Sequence, residues 1–173
     1  MKTLLTRLAA IALCLHAIPA LAQRESFDAT VTRRVEILIV ELIKPEPMVF
    51  HDILFKLDSA EFLNKDSENR VDEIALALKS PGLKNDRFRI EGHTCDLADD
   101  DYNLKLSAER AETIRQRLIK QGVPAARLVA KGFGETELVD PVQAGDTPAQ
   151  AEKRRQKSRR VVLRNLTAKS PSK

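Results

Sequence analysis

The stretch GHTCDLADDDYNLKLSAERA, from Gly92 to Ala111, concentrates the side chains able to do chemistry. Asp96, Asp99, Asp100 and Asp101 crowd a strand-to-helix turn and together favour a cation. Arg110 follows as a planar fork of donors suited to a carboxylate, a charge-assisted contact worth roughly 1.5–3 kcal/mol. With Ser107 read as an N-cap, Arg110 falls in the first turn of a helix. The free N–H groups and positive dipole end there attract anions, so a cation at that position needs a further justification. A carboxylate receptor beside a set of acids describes a receptor for a zwitterion such as an amino-acid head group. A plainer reading uses the same residues. Arg110 pairs with Glu109 or Asp101 on a solvated face, worth about 0–1 kcal/mol, and the aspartates cap the turn. Residue types alone leave both readings open.

Other chemistries find less support in the sequence. Cys95 and His93 sit two apart and would share one face of a strand, but nothing supplies an oxyanion hole or a third orienting group. His93 reads as a structural hydrogen-bonding group, because no second metal ligand accompanies it. The aspartates lack the D-x-D-x-D-G spacing of a calcium loop. Gly-rich phosphate loops, HExxH and paired Cys-x-x-Cys are all missing, so no cofactor and no metal are expected.

The surrounding elements have to position these groups. MKTLLTR, the apolar run LAAIALCLHAIPA and the small-x-small Ala20-Leu21-Ala22 have the layout of a secretory signal peptide over residues 1–22. The run is short for a membrane span, and Leu13 before Cys14 argues against lipid attachment there. Loss of Lys2 and Arg7 lowers the formal net charge of +4 by two, so overall charge says little. Its distribution says more. KRRQKSRRVVLR, Lys153 to Arg164, holds no acid and reads as a solvated face or, in an exported protein, a contact for an anionic extracellular partner rather than nucleic acid. Cys95 is then the one thiol of the mature chain, either buried and inert or paired outside it.

Residues 23–47 form an N-terminal extension whose RVEILIVELI segment, Arg34–Ile43, suits an extra strand, a buried helix or a docking segment. Ile53, Phe55 and Leu57 alternate as in a strand. Val71, Ile74, Ala75 and Leu78 have helical spacing, closed by Pro81-Gly82. Phe88 and Ile90 mark a second strand. Ala111, Ile114 and Leu118 mark a second helix with its stop at Gly122. Leu128–Phe133 and Arg159–Leu166 are further strands, and a short helix is expected around Pro148–Arg155. Phe133 and Tyr102 are expected beneath the site. The order β-α-β-α-β-β describes one α+β domain over 48–167, helices packed on a mixed four-stranded sheet. Residues 168–173 read as a disordered tail.

Spaced motifs add a family reading. Gly92-His93-Thr94, Tyr102-Asn103, Leu106-Ser107 and Arg110-Ala111 stand at the intervals of a G-H-T-D, Y-N, L-S, R-A pattern. Ile53–Phe62 looks like an opening strand, Gly132-Phe133-Gly134-Glu135 like G-Y-G-E, and Arg159-Arg160-Val161 like a closing N-R-R-V. Together these resemble the OmpA-like peptidoglycan-binding domain over most of residues 53–164.

The resemblance implies the β-α-β-α-β-β fold and a non-catalytic hold on peptidoglycan through the diaminopimelate zwitterion of its stem peptide. It carries the carboxylate-binding arginine onto Arg110, the turn asparagine onto Asn103 and the closing arginine onto Arg159, with Thr94 and Ser107 shaping the pocket. Two positions depart from the pattern. Cys95 stands where the family has an aspartate for the ligand ammonium, and an ordinary thiol is a poor counter-ion. Asp96 or Asp99 could take that role. Ser158 replaces the closing asparagine. The expected location is the periplasm, in association with the outer membrane. The leading function is anchoring an envelope component to the wall. The alternative is an envelope assembly protein with weakened or lost wall binding, engaging a protein partner through residues 23–47 or Cys95.

Overall fold

A computed structural model describes residues 29–168, so the signal-peptide segment 1–22 and residues 169–173 lie outside the described residues. The elements run α1 (Ala29–Leu42), β1 (Met48–Phe50), α2 (Lys65–Leu78), β2 (Phe88–His93), α3 (Asp100–Lys120), β3 (Leu128–Gly134), α4 (Pro148–Ser158) and β4 (Arg160–Asn165). A single 3-10 turn, Ala125–Arg127, leads into β3. The mixed sheet has the order β1-β4-β2-β3. Strand β4 runs antiparallel to both β1 and β2, whereas β2 and β3 are parallel. This is the expected α+β domain on a mixed four-stranded sheet, with the short helix expected around Pro148–Arg155 present as α4 between β3 and β4, and a further helix, α1, before β1.

Segment 34–43 is helical. Val35, Leu38, Ile39 and Leu42 recur at i, i+3, i+4 and i+7, the stripe of an amphipathic helix. Leu38, Ile39, Leu42 and Ile43 are buried in the main core with Phe50, Val71, Leu78, Phe88 and Ile114. Arg34 adds an ion pair at 2.6 Å to Glu73 on α2, and the Asn165 amide donates to the Leu42 carbonyl at 2.9 Å. The apolar stripe of α1 is thus consumed within the chain, leaving Ile37 and Val40 on its exposed side.

Segment 53–57 forms no ladder. The opening strand is the upstream Met48–Phe50, which pairs with Val161–Leu163. Residues 53–63 instead fold back as a loop closed by one bridge, Phe55 to Phe62, whose rings stack at 5.4 Å. The alternation does not persist as burial: Ile53 is buried and Phe55 partly buried, but Leu57, the third residue of the pattern, is 91% exposed at the loop's turn.

Ser107 is not an N-cap. Helix α3 begins eight residues earlier than that reading requires, capped by Asp99, whose carboxylate accepts from the Tyr102 N–H at 2.8 Å. Asp100 and Asp101 occupy its first turn, where carboxylates oppose the positive dipole end. Part of the acidic crowding is therefore explained by helix initiation. Gln121 and the left-handed Gly122 (φ 89°) end the helix as expected.

Helix α3 lies close on β2 and β3 because two facing positions carry no side chain. A Cβ built on Gly92 would stand 2.2 Å from the Ser107 carbonyl oxygen, and one on Gly132 would stand 2.5 Å from the Ala108 nitrogen and the Ser107 Oγ. The Ser107 hydroxyl, inside the helix, donates to the Leu104 carbonyl at 2.8 Å and accepts from the Gly134 N–H at 2.9 Å. It therefore ties the third turn of α3 to the end of β3.

On the opposite sheet face, Glu91 is buried between Arg89 at 2.6 Å and Arg164 of β4 at 2.8 Å. Burial raises its pKa, but contacts with His93, Arg164 and Arg89 outweigh that and hold it well below the usual carboxylate range.

Two stability outcomes follow. Gly132→Ala forces α3 away from the sheet and should cost about 3 kcal/mol, read as a lower urea midpoint with the slope unchanged. Leu38→Ala should cost about 2–5 kcal/mol in the same experiment. A near-neutral result there would mean that α1 is not part of the core.

Candidate ligand-binding site

Strand β2 ends at His93, and the chain turns through Thr94–Asp99 into α3. The Thr94 N–H donates to the Gly134 carbonyl at 2.9 Å, fixing the turn to β3. Asn103, in the first turn of α3, supplies the other clamp. Its amide nitrogen lies 3.1 Å from the Cys95 carbonyl, 3.1 Å from the Ala98 carbonyl and 2.5 Å from Glu135 Oε2. Two hydrogens shared among three acceptors leave no donor to spare for a ligand. Asn103 thus folds the turn on itself and links it to the segment after β3.

A cavity of ≈450 Å³ opens above this turn. Thr94, Cys95, Asn103, Arg110 and Arg159 all line it, together with Asp58, Tyr102 and Glu152. Asp96, Asp99 and Ser107 do not. Asp96 is held by Arg155 of α4 at 2.7 Å, Asp99 is the α3 cap, and Ser107 faces the sheet beneath. Asp96 and Asp99, the two residues expected to meet the ligand ammonium, thus stand outside the cavity lining. Tyr102, 39% exposed, belongs to the lining. Phe133 instead stacks on His93 at 5.1 Å.

Arg110 sits in the third turn of α3 and crosses to the loop 53–63. Its Nε donates to the Ser59 carbonyl at 2.9 Å, its Nη2 reaches the Lys56 carbonyl at 3.4 Å, and the guanidinium lies 5.1 Å from the Phe55 ring centroid. None of these partners carries a charge, and no carboxylate forms an ion pair with Arg110 among the described residues. Burial, foremost, lowers its pKa, with Tyr102, Asp58 and Cys95 acting the other way. A guanidinium stays protonated through such a shift. The result is a half-buried cation, oriented by carbonyls and a ring, with its charge unneutralised at a cavity.

Arg159 takes a different arrangement. It forms an ion pair with Glu152, and its Nη1 approaches Cys95 Sγ at 3.4 Å. Burial opposes its charge, yet Glu152 and Cys95 together raise its pKa. Cys95 is 6% exposed, which closes the thiol to a protein-sized partner. No Cys95–His93 hydrogen bond forms among the described residues, and both His93 nitrogens are buried without a hydrogen-bond partner. A thiol–imidazole nucleophile pair is therefore not assembled.

Sequence reasoning missed Glu152 and Asp58. Glu152 is two helical turns before Arg159, a spacing that could have been read once α4 was extended to Ser158. Asp58 has φ 47°, and is the one left-handed non-glycine residue among the described residues. Aspartate tolerates that conformation, a turn signal that the strand reading of Ile53–Leu57 passed over. The basic run also changes meaning. Arg154 pairs with Asp140 and Asp146, Lys157 with Asp140, Arg155 with Asp96, and Arg164 with Glu91. Much of the charge expected to meet an external anion is spent fastening α4 and β4 to their own domain.

A second cavity of ≈380 Å³ lies between α1 and α2. Its cations are already matched, Arg34 by Glu73, and Arg70 by Glu73 and Asp52. The cavity at Arg110, by contrast, holds a cation with no ion pair among the described residues.

The family model described as the OmpA family matches residues 54–155. The chain belongs to the OmpA family. It is 38% identical over 101 residues to the outer-membrane lipoprotein YfiB of Pseudomonas aeruginosa, covering 58% of this chain and 55% of that protein. The chain thus spans about half the length of this curated relative. Among solved structures it resembles the peptidoglycan-associated lipoprotein of Burkholderia pseudomallei (27% identity, TM-score 0.52, 65% of this chain and 86% of that one). It also resembles the cell wall anchor of the type VI secretion system of Pseudomonas aeruginosa (26% identity, TM-score 0.53, 68% and 78%). The expected family is thereby shown. The matched span contains the whole of α3 and most of the cavity lining, while β1 and β4 complete the sheet around it.

Asn103→Ala removes the amide clamp on the turn, leaving the backbone bond from Thr94 to Gly134, and should cost about 1–3 kcal/mol. Hydrogen exchange is the sharper readout. Protection should fall at residues 94–99 while the core strand β2 stays protected.

Proposed function

We propose that this OmpA-family domain anchors an envelope component to peptidoglycan, non-catalytically, by gripping the free zwitterion of a diaminopimelate-containing stem peptide. The observation that carries this reading is the Arg110 guanidinium, bound to carbonyls and a ring but to no carboxylate, at a cavity. A carbonyl satisfies an N–H without cancelling charge, so the arginine retains its attraction for an anion. The ligand carboxylate docks on Arg110. Its ammonium turns toward Glu152 and Asp58, the acids of the lining, rather than toward Asp96. Cys95 and Thr94 complete the wall of the pocket, and Arg159 positions Glu152. Two of the proteins it resembles are a cell wall anchor and a peptidoglycan-associated lipoprotein, which supports the same reading. The corresponding location is the periplasm, reached by the 1–22 leader. The burial of Cys95 weighs against the alternative of a partner protein held by a disulfide at that residue.

Co-sedimentation with purified sacculi tests this. Wild-type protein should pellet with the wall. Arg110→Ala should weaken binding about tenfold or more, the loss of one charge-assisted contact. Because Arg110 also steadies the loop 53–63, the variant's melting curve is measured alongside. Undiminished sedimentation by folded Arg110→Ala removes the proposal.

A further inference from the structure

The replacement of a carboxylate by Cys95 leaves a nucleophilic sulfur inside a pocket built for an amino-acid head group. Three observations bear on what that sulfur can do. Its Sγ lines the ≈450 Å³ cavity and accepts from the Arg159 guanidinium at 3.4 Å, which supplies a counter-charge to an attacking thiolate. Arg110, without a carboxylate partner among the described residues, lines the same cavity. Thr94, adjacent in sequence and 4% exposed, also lines it, and its buried hydroxyl has no hydrogen-bond partner. A buried orphan hydroxyl beside a cation and a thiol is a site waiting for a polar ligand, since leaving such a group unmatched is costly.

We propose that Cys95 is a thiol–disulfide exchange site selective for small disulfides whose halves carry an amino-acid head group. This inference rests on the carboxylate-docking role given to Arg110 above. The carboxylate of one half binds Arg110, with the Thr94 hydroxyl donating to the same head group. That docking brings the disulfide to Sγ. The Cys95 thiolate attacks one sulfur of the small disulfide, and the new S–S bond forms as the old one breaks. The other half departs as a thiolate and takes up the proton that Cys95 released. Cys95 is oxidised and the departing half is reduced, so no further oxidant is needed. The retained half fills the cavity and covers Arg110, blocking the stem-peptide site until a reductant removes it. The seclusion that bars a protein partner from Cys95 admits a ligand of this size.

Intact-mass spectrometry of the mature protein supplies the test, with cystine and cystamine as probes. Cystamine has the same disulfide and ammonium groups and lacks the carboxylates. The expected result is one half-cystine adduct on wild type, absent in Cys95→Ser, removed by dithiothreitol, and formed about tenfold faster with cystine than with cystamine, the worth of one charge-assisted contact. Arg110→Gln should bring the two rates together. Equal rates on wild type overturn the inference without reference to any variant, as does an absent adduct. Sacculus binding is read on the same samples. Wall binding without an adduct sinks this inference alone, whereas a cystine-selective adduct on protein that never binds sacculi supports it and sinks the anchoring reading. Loss of sedimentation on treatment, restored by dithiothreitol, supports both.

Discussion

The close approach of α3 to the sheet is the constraint on which the rest depends. It exists because Gly92 and Gly132 present no side chains to the helix, so its backbone at Ser107 and Ala108 settles almost onto the strands. A helix in ordinary packing stands about 8–10 Å from its neighbour, the distance set by intervening side chains. Removing those side chains lets one hydroxyl, Ser107, bond helix to strand directly. Once the third turn is fixed, one helical turn down places Asn103 over the Thr94–Asp99 segment, and one turn up sends Arg110 across to the loop at Ser59. The glycines thus act on the site without touching it.

Charge pairing explains why Arg110 differs from the other arginines on and just after that helix. Arg117 grips Asp72 with two bonds of 2.8 Å, Arg115 takes Glu112, and Arg127 sends three bonds into the Asp86, Leu78 and Leu83 carbonyls beneath the sheet's end. Arg115 and Arg117 are paired with acids and fasten elements. Arg127 is a half-buried brace held by three carbonyls. Arg110 combines the features in another way. Its donors are partly used by carbonyls, so it is held in place, but its charge faces open space. Orientation without neutralisation sets Arg110 apart from these braces.

The acids near the turn were sorted by the same economy. Asp99, Asp100 and Asp101 start the helix, and Asp96 holds α4. The carboxylates that remain at the cavity come from distant parts of the chain, Asp58 from the loop before α2 and Glu152 from α4. A cluster read as one local receptor divides into helix capping, inter-element fastening and a remote contribution to the pocket.

The elements and their order were legible in the sequence, because a helix or strand that buries one face must repeat its apolar residues at that element's own period. The α2, β2, β3 and α3 stripes all obeyed this, and the spaced motifs running from Gly92 to Ala111 and on to Arg160 carried the family. Where the period was mixed, as in Arg34–Ile43, or where apolar residues alternated in a loop that leaves one of them exposed, as at Ile53–Leu57, the same reasoning could not choose. Asn103, Arg110, Thr94, Cys95 and Arg159 were found as candidates, yet the Ser107 cap, the roles of Asp96 and Asp99, and the presence of Glu152 and Asp58 were not. The difference has one physical origin. Burial periodicity and capping are local, and are written within a few residues of where they act. The partner of a charge is chosen by proximity in space, and only the folded chain decides which carboxylates reach Arg155, Arg159 and the helix end, and which guanidinium is left facing a cavity.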